Sequence, residues 1–245
     1  MTAEERSLPL ASGSPRASVR LFPTLLVVAL LAGSAGAFAL FERLKLRAPP
    51  ITGPRVDAVF SPVCRCPEDE ARIRFRLRSR DRVTVTVVRE NGERMRTLLR
   101  AASRSPGVVH LTWNGRDAAG ALVADGPYRV RVRLAARDRT ITFARGVRVD
   151  TTPPALALLA VHRRPRLVLV RYRVSEKARV LAFVGGRRVA RGRIVRGQGQ
   201  LRWFGGIGGE PLPAGRYRLS IRARDLAGNL SRPPATVVVT LAAPR

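Results

Sequence analysis

The stretch WNGRDAAGALVADGPYRVRV, Trp113 to Val132, returns in degenerate form about ninety residues later as WFGGIGGEPLPAGRYRLSI, Trp203 to Ile221. Each copy has a Trp that ends an apolar run, a Gly-rich loop, a Pro or Gly approach, and a Tyr that opens an alternating segment. This order predicts a strand, a long turn and a second strand. The chain is therefore expected to contain the same β-sandwich unit twice, and no arrangement of residues within the unit specifies a reaction.

Outside the first copy, apolar and polar residues alternate with period two, which is typical of strands with one buried face. The apolar members of this alternation are Ile73, Phe75, Leu77, Val83, Val85 and Val87. A length of 245 residues suits two sandwich modules of roughly 90 to 100 residues each. We predict an all-β fold with modules at 56–149 and 155–245, joined semi-rigidly by the two prolines of a linker at 150–154.

The N-terminal region has a different composition from the modules. Residues 1–20 are rich in Ser, Pro and charge, which predicts a disordered tail. Residues 21–41 carry no charge and are long enough, as a helix, to cross a bilayer core of about 30 Å. Residues 42–55 are predicted to form a stalk, stiffened by the prolines of APPITGPR. The alternative for residues 21–41 is a cleaved signal peptide, because Ala35-Gly-Ala37 and Ala37-Phe-Ala39 fit the cleavage rule.

Arginines and lysine on the two sides of the apolar run nearly balance, so charge does not set its orientation. Tandem sandwich modules and a turn that permits a disulfide belong outside the cytoplasm. We therefore expect a single-pass membrane protein with its C-terminal modules extracytoplasmic. Secretion after signal cleavage is the alternative.

The formal net charge of +29 points first to a polyanion partner such as nucleic acid, anionic lipid or acidic cell-wall polymer. Nearly all of the positive charge is Arg, which a solvated sheet face or a codon bias also explains. A nonspecific polyanion surface stays an open hypothesis, whereas specific nucleic-acid readout would need more stacking residues than 5% aromatics. The candidate surface comprises two outward stripes, Arg72, Arg74, Arg76 and Arg78, and Arg129, Arg131 and Arg133.

Cys64 and Cys66 are the two cysteines of the chain and lie in one turn between prolines. A disulfide between them is the favoured interpretation, with free thiols or metal and redox chemistry as alternatives. A structural zinc site would need four ligands, and His110 and His162 are distant in sequence. We predict no metal and no cofactor.

Several motifs resemble the immunoglobulin-like domain of FlgD type, a module of exported bacterial proteins. The first module carries Trp113-Asn-Gly-Arg-Asp117 and Asp125-Gly-Pro-Tyr128, and the second keeps Trp203 and Tyr217 but lacks the Asn-Gly-Arg-Asp core. Asp150-Thr-Thr-Pro-Pro154 and Ala223 to Asn229 resemble boundary and final-strand signatures of bacterial surface repeats. The resemblance implies two tandem immunoglobulin-like sandwiches with an adhesive or spacer role. The residues of this structural motif are Trp113, Asn114, Gly115, Asp117, Gly120, Asp125, Gly126, Tyr128, Trp203, Gly215, Tyr217, Asp225 and Asn229.

An enzyme would need a nucleophile, a base or a metal cluster, and this sequence offers few of the residues that could form one. The acidic run Glu68, Asp69, Glu70 is more typical of a salt-bridged surface. Asp117 and Asp125 are expected to hold the long loop, with cation binding as the alternative. Trp113 and Trp203 are expected to pack in the cores rather than to serve as sugar platforms. We predict a non-enzymatic envelope interaction or spacer protein, with an unknown envelope protein or polymer as partner.

Overall fold

The computed structural model describes residues 21–45 and 48–243. The predicted tail at 1–20 lies outside these residues. Helix α1, Leu21–Lys45, covers the predicted apolar segment, so the expectation of a helix there is confirmed. No helix in the described ranges combines the length and the apolar character that a membrane crossing requires. The chain divides into two units at Pro49 and Pro50, and all of the strands belong to the second unit.

The described residues form sixteen strands, and the all-β expectation for the modules is confirmed. In the first module they are β1 (Ile51–Val56), β2 (Val59–Phe60), β3 (Ala71–Leu77), β4 (Asp81–Arg89), β5 (Arg94–Arg104), β6 (Gly107–Trp113), β7 (Gly126–Leu134), β8 (Arg139–Thr142) and β9 (Val147–Val149). In the second they are β10 (Leu156–Arg163), β11 (Val168–Val184), β12 (Arg187–Trp203), β13 (Gly206–Ile207), β14 (Glu210–Pro211), β15 (Gly215–Asp225) and β16 (Ala235–Leu241).

The first module is a sandwich of two sheets. One sheet has the order β1-β3-β6, and the other has the order β2-β9-β7-β4-β5 with β8 paired to β7. The alternation read from the sequence appears directly in β3, where every second residue from Ala71 to Leu77 is buried and the intervening arginines are exposed. Ile73, Phe75 and Leu77 are each 1% exposed in the core between the sheets.

The second module repeats this topology with longer strands. Residues 168–174 of β11 pair with β10, and residues 178–184 pair with β15, with an irregularity between Val174 and Ala178. β12 pairs along both halves of β11. Strand β11 therefore corresponds to β3 and β4 of the first module, and β12 corresponds to β5 and β6. The two modules have separate hydrophobic cores.

Several predicted boundaries were wrong. Residues 51–55, assigned to the stalk, belong to strand β1, which pairs with β3 and bulges between Thr52 and Arg55. Gly53, at φ +57°, supplies the left-handed backbone of this bulge, which lets Pro54 sit in an edge strand. Residues 42–45 of the predicted stalk are the end of α1, and residues 46–47 lie outside the described part of the chain.

Two glycines of β12 make room for a large aromatic side chain of the second core. Tyr172 is fully buried, and a Cβ on Gly199 or Gly192 would lie 2.6 or 2.7 Å from its hydroxyl oxygen. Burial raises the pKa of Tyr172 above its usual range, so its hydroxyl stays protonated. Glycines are costly inside strands, and here they are required by the close approach of the ring. The sequence prediction missed most of β12 because these glycines interrupt its alternation.

Candidate functional site

The long loop of the first module is organised around Trp113 and Tyr128, the two aromatic residues that recur in the second copy. Trp113 is 1% exposed, and its indole N–H donates to the Arg116 carbonyl at 2.9 Å. The Tyr128 hydroxyl donates to the Ala124 carbonyl four residues earlier at 2.7 Å. The two rings meet edge to face with centroids 5.1 Å apart. Both side chains are therefore packed in the core and hold the loop between them.

The Trp and the Tyr of the second copy make the same two hydrogen bonds. Trp203 donates to the Gly206 carbonyl at 2.8 Å, again three residues ahead, and Tyr217 donates to the Pro213 carbonyl at 3.0 Å, again four residues back. Trp203 is 2% exposed and meets Tyr217 edge to face at 6.4 Å. The internal repeat read from the sequence is thus also a repeat of side-chain bonding. It survives although the Asn-Gly-Arg-Asp core of the loop is absent from the second copy.

The polar residues of the first loop serve its turns. Asn114 accepts from the Arg116 backbone N–H at 3.3 Å, and Asp117 accepts from the Ala121 N–H at 2.9 Å. Gly115 has φ +69°, and a Cβ there would lie 2.8 Å from the Pro62 ring. Gly120 and Gly126 also have positive φ, which their turns need. These contacts are the structural role expected for Asn114 and Asp117.

Asp125 makes contacts that reach beyond its own loop to the linker. Its carboxylate accepts from the backbone N–H and the hydroxyl of Thr151, both at 2.9 Å, and from the hydroxyl of Thr152 at 3.2 Å. Both threonines belong to the linker. The loop of the first module therefore fixes the linker immediately before its two prolines.

The loop from Asp225 to Asn229 in the second module also binds this linker. The Asn229 side-chain amide donates to the Asp150 carbonyl at 2.9 Å and to the Thr152 carbonyl at 3.4 Å. It also donates to the Asp225 carboxylate at 2.8 Å, and Asp225 accepts from the Asn229 backbone N–H at 2.8 Å. Asp225 and Asn229 are 8% and 4% exposed. The Asp225–Asn229 loop is thus a clamp on the linker backbone.

Two further contacts join the modules directly. Cys64 and Cys66 form a disulfide, with Cα atoms 5.2 Å apart, and this confirms the favoured interpretation of the pair. Gly228 lies against it, since a Cβ there would be 2.4 Å from Cys66 Sγ and 3.2 Å from Cys64 Sγ. Beside this contact, Glu68 of the first module forms an ion pair with Arg224 of the second. We call this set of contacts, from the Cys64–Cys66 turn through the linker to the Asp225–Asn229 loop, the junction.

Three carboxylates meet at the junction. Asp150, Glu176 and Asp225 have oxygen atoms within 4.8 Å of one another, and Asp225 is the most buried of them. Burial, together with the negative charges of Asp150 and Asp225, raises the pKa of Glu176. Burial also raises the pKa of Asp225, and the hydrogen bonds from Asn229 only partly oppose this. Carboxylate oxygens are the ligands that Ca²⁺ prefers, so these three side chains could hold a divalent cation.

The raised pKa values give the junction a predictable pH dependence. A carboxyl group whose pKa is higher in the folded chain favours folding when it is protonated, and this contribution is lost as pH rises through the folded pKa. Glu176→Gln imitates the protonated form and breaks no hydrogen bond of the described residues. We expect it to stabilise the protein at pH 7 by up to about 1 kcal/mol, the scale of a partly exposed charge interaction.

Urea titrations of this variant at pH 7 and pH 5 check the prediction, because the gain should shrink at the lower pH. Glu70→Gln, which removes an exposed carboxylate of the first module, is the matched control and should leave stability unchanged. Calcium added at pH 7 should act on the wild type in the same direction as protonation if the cluster holds a cation. A destabilised Glu176→Gln would contradict the repulsion argument.

The two Arg stripes differ in the structure. Arg72, Arg74, Arg76 and Arg78 are all exposed on β3 and the turn after it. In the second stripe, Arg129 and Arg131 are half-buried on β7, a strand with neighbours on both sides. Arg129 donates to the Ala144 carbonyl at 3.1 Å, and Arg133 pairs with Asp138 at 3.2 Å. The first stripe is therefore fully exposed, whereas in the second stripe only Arg133 is.

Comparison with known proteins identifies part of the first module. Residues 67–138 match the FlgD Ig-like domain family. The match extends from the end of the cysteine turn to the 3₁₀ turn after β7, so it includes the FlgD-type loop with Trp113 and Tyr128. No curated protein matches the chain.

Solved structures give looser likenesses. The BSP domain of a biofilm-associated protein is 15% identical over 80% of this chain and 30% of its own length, with a TM-score of 0.27. The human OSCAR ligand-binding domain is 13% identical over 76% of this chain and 97% of its own, with a TM-score of 0.34. A bacterial ice-binding adhesin is 17% identical over 77% of this chain and 63% of its own, with a TM-score of 0.28. The chain thus spans less than two thirds of the biofilm-associated and ice-binding chains.

The sequence reasoning named Asp225 and Asn229 but missed their partners. Asp150 and Glu176 are 75 and 49 residues from Asp225 along the chain, so no spacing rule connects the three carboxylates. Gly228 was passed over because nothing in the sequence shows that a disulfide from the other module lies against it. A usable signal was present in the linker, where Thr151 and Thr152 offer hydroxyls next to prolines that leave few backbone donors.

Proposed function

We propose that the protein is an exported, non-enzymatic envelope protein whose two immunoglobulin-like modules form one stiff spacer or interaction unit. The observation that carries this proposal is the junction, where both modules hold the linker and the Cys64–Cys66 disulfide lies against Gly228. Flexible tandem modules are joined by few contacts across their boundary. Here hydrogen bonds, an ion pair and a packed disulfide all cross the boundary between the modules.

The side chains that could take part in catalysis are engaged in structural contacts, which supports a structural rather than a catalytic role. Both cysteines are consumed in the disulfide. Asp117, Asp125 and Asp225 each accept hydrogen bonds that close turns or hold the linker. Such engagement leaves these groups poorly placed to act as a nucleophile or a general base.

Distance measurements between the modules test the stiffness of the unit. Spin labels at Arg100→Cys and Arg218→Cys, two exposed strand positions, report one distance within the full-length protein. We expect a single narrow distance distribution for the wild-type background. Gly228→Ala should broaden it, because the added methyl group cannot fit beside Cys66 Sγ and its backbone has φ +99°.

Gly186→Ala is the matched control for this measurement. Gly186 has φ +79° in the hairpin between β11 and β12, and nothing lies within 4 Å of its Cβ position. The control therefore introduces comparable backbone strain without touching the junction, and the distance distribution should stay narrow. A broad distribution in the wild-type background would refute the stiff unit.

We further propose that α1 attaches the protein to the membrane, with the modules on the extracytoplasmic side. The described part of α1 presents large apolar side chains to solvent, and exposed apolar surface of this extent needs a cover. These side chains, each more than half exposed, are Leu25, Leu26, Val27, Val28, Leu30, Leu31 and Phe38.

Fractionation checks the attachment. The protein should remain with the membranes after a high-pH wash, and protease added to intact spheroplasts should remove residues 56–245. Intact mass is the companion measurement. A mature form that begins near Phe38 or Leu40 would show a cleaved signal peptide and would replace the anchored form by a secreted one.

A second candidate function is binding of a polyanion. The observation that favours it is the first stripe, whose four arginines are all exposed on one face of β3 and its following turn. Binding through several phosphates or carboxylates weakens by orders of magnitude as salt rises. Submicromolar binding of a polyanion at 150 mM salt that is lost when these four arginines become Gln would show that polyanion binding is the function of this surface.

A further inference from the structure

The outer face of the sheet β1-β3-β6 carries a groove of about 930 Å³. Two cross-strand rows of side chains border it. Arg55, Arg74 and His110 are in register in one row. Arg72 and Thr112 are in register in the other, where Asp57 joins them through its backbone bond to Arg72. Between the rows lie Val56, Ile73 and Leu111, so the groove runs across the three strands.

The charges on this groove are strongly one-sided. Arg55, Arg72, Arg74 and Arg145 line it, against the single carboxylate of Asp57. That carboxylate already accepts the Arg72 backbone N–H at 3.0 Å. Within the described residues, Arg55, Arg74 and Arg145 have neither an ion-pair nor a side-chain hydrogen-bond partner. Their guanidinium groups are therefore available for a ligand, unlike those of Arg129 and Arg133.

The spacing of the row suits an extended chain with repeated negative charges. Neighbouring strands lie about 4.8 Å apart, so Arg55, Arg74 and His110 present donors at that interval across the sheet. Guanidinium groups bind carboxylates and phosphates in a planar, two-bond geometry that lysine cannot reproduce. A ligand laid across the strands would meet the guanidinium groups of Arg55 and Arg74 on two neighbouring strands and the imidazole of His110 on the third.

Two other kinds of ligand fit the groove less well. A peptide that adds a strand would use the free edge of β1, but Pro54 has no N–H to offer and the adjacent bulge distorts this edge. Single-stranded nucleic acid is bound mainly by stacking of bases on aromatic rings. Among the described residues that line the groove, none is Phe, Tyr or Trp.

We propose that this groove binds a segment of an anionic polysaccharide, through carboxylate or phosphate groups carried by its sugar or glycerol units. Arg55, Arg74 and Arg145 hold the anionic groups, and His110 and Thr112 offer further hydrogen bonds at the far strand. The proposal deepens the second candidate function and is independent of the stiffness of the junction. It assigns the binding of polyanions to one surface of the first module instead of to the net charge of the whole chain.

The test measures binding of full-length protein to two probes at 150 mM salt, an oligogalacturonate of defined length and a poly(glycerol phosphate) oligomer. The groove variant combines Arg55→Gln, Arg74→Gln and Arg145→Gln. The matched control combines Arg171→Gln, Arg173→Gln and Arg218→Gln, three exposed arginines of the second module, so both variants lose the same charge. A neutral oligosaccharide and oligo(dT) complete the set.

We expect the groove variant to bind at least one anionic probe at least about tenfold more weakly than the wild type, and the control variant to change less than about twofold. The preferred probe distinguishes carboxylate from phosphate as the recognised group. Equally weakened binding of the probes by both variants would overturn the proposed groove site and would still support general polyanion binding. No binding of either probe would overturn both, and tighter binding of oligo(dT) than of the two glycans would overturn the ligand class.

Discussion

Replacing Trp113 by alanine should lower the free energy of unfolding of the first module by about 3–5 kcal/mol, the usual loss for a large buried aromatic side chain. Trp113 is 1% exposed and packs edge to face against both Phe60, at 5.5 Å, and Tyr128, at 5.1 Å. Its removal also leaves the Arg116 carbonyl without its donor. Trp203→Ala should have an effect in the same range, at the lower end, because Trp203 has one aromatic neighbour.

The chain has two tryptophans, one in each core, and this makes the measurement selective. In Trp113→Ala the fluorescence of Trp203 reports on the second module alone, while far-UV circular dichroism reports on both. We expect the two transitions to separate in urea for this variant. Coincident and unshifted transitions would show that Trp113 contributes little to the core and would revive its interpretation as a sugar platform.

Phe204→Ala provides the control. Phe204 follows Trp203 directly and is 69% exposed, so its loss removes an aromatic ring without opening a cavity. Tyr128→Phe separates the hydrogen bond of the corner from ring packing, and it should cost about 1 kcal/mol. The order Trp113→Ala, Tyr128→Phe, Phe204→Ala in decreasing cost is the pattern that the structure predicts.

The sequence was sufficient for features that repeat with a period. Alternation placed β3, β4 and β7, and the returning Trp and Tyr identified both cores because the same side chain recurs at the same step of each unit. Most of β12 could not be predicted, because glycines interrupt the apolar alternation of residues 187–200. Two of these glycines, Gly192 and Gly199, are required by the close approach of the Tyr172 ring. Stalk residues 51–55 were misassigned because a proline usually argues against a strand, and the bulge at Gly53 removes that objection.

The junction lay beyond sequence reasoning for a different physical reason. Its contacts join residues that are far apart in the chain, such as Glu68 with Arg224, and each partner alone is an ordinary charged or small residue. Asp225 and Asn229 were recognised only as a motif of a final strand. Their role as a clamp depends on where the linker carbonyls lie, and that position is set by the packing of both modules.

Asp81 is another residue that the sequence does not distinguish, since it stands between Arg80 and Arg82 and has the appearance of a charged turn. Its side chain is fully buried at the start of β4. It accepts from the Arg82 N–H at 2.7 Å and the Ala136 N–H at 2.9 Å, and it forms an ion pair with Arg137. One carboxylate thus fixes the 3₁₀ turn Ala135–Arg137 that follows β7.

Burial by itself would raise the pKa of Asp81, but the donors from Ala136, Arg137 and Arg82 outweigh it and hold the pKa below its usual value. A carboxyl group with a depressed folded-state pKa stabilises the fold above its unfolded pKa, and this contribution is lost as pH falls through the folded pKa. Asp81 is therefore expected to contribute to stability at neutral pH and to its loss in acid.

Asp81→Asn should lower the free energy of unfolding at pH 7 by about 2–3 kcal/mol, because buried donors then face an amide instead of a carboxylate. This range lies below the usual cost of breaking a buried ion pair, since Arg137 is 36% exposed and can turn to water. Urea titrations from pH 7 down to pH 3 should show a smaller decline for the variant than for the wild type. Asp138→Asn, which breaks the exposed pair with Arg133, is the control and should change neither stability nor its pH dependence. An Asp81→Asn variant as stable as the wild type at pH 7 would mean that the donors of the 3₁₀ turn find water instead, and the turn would then be held by packing alone.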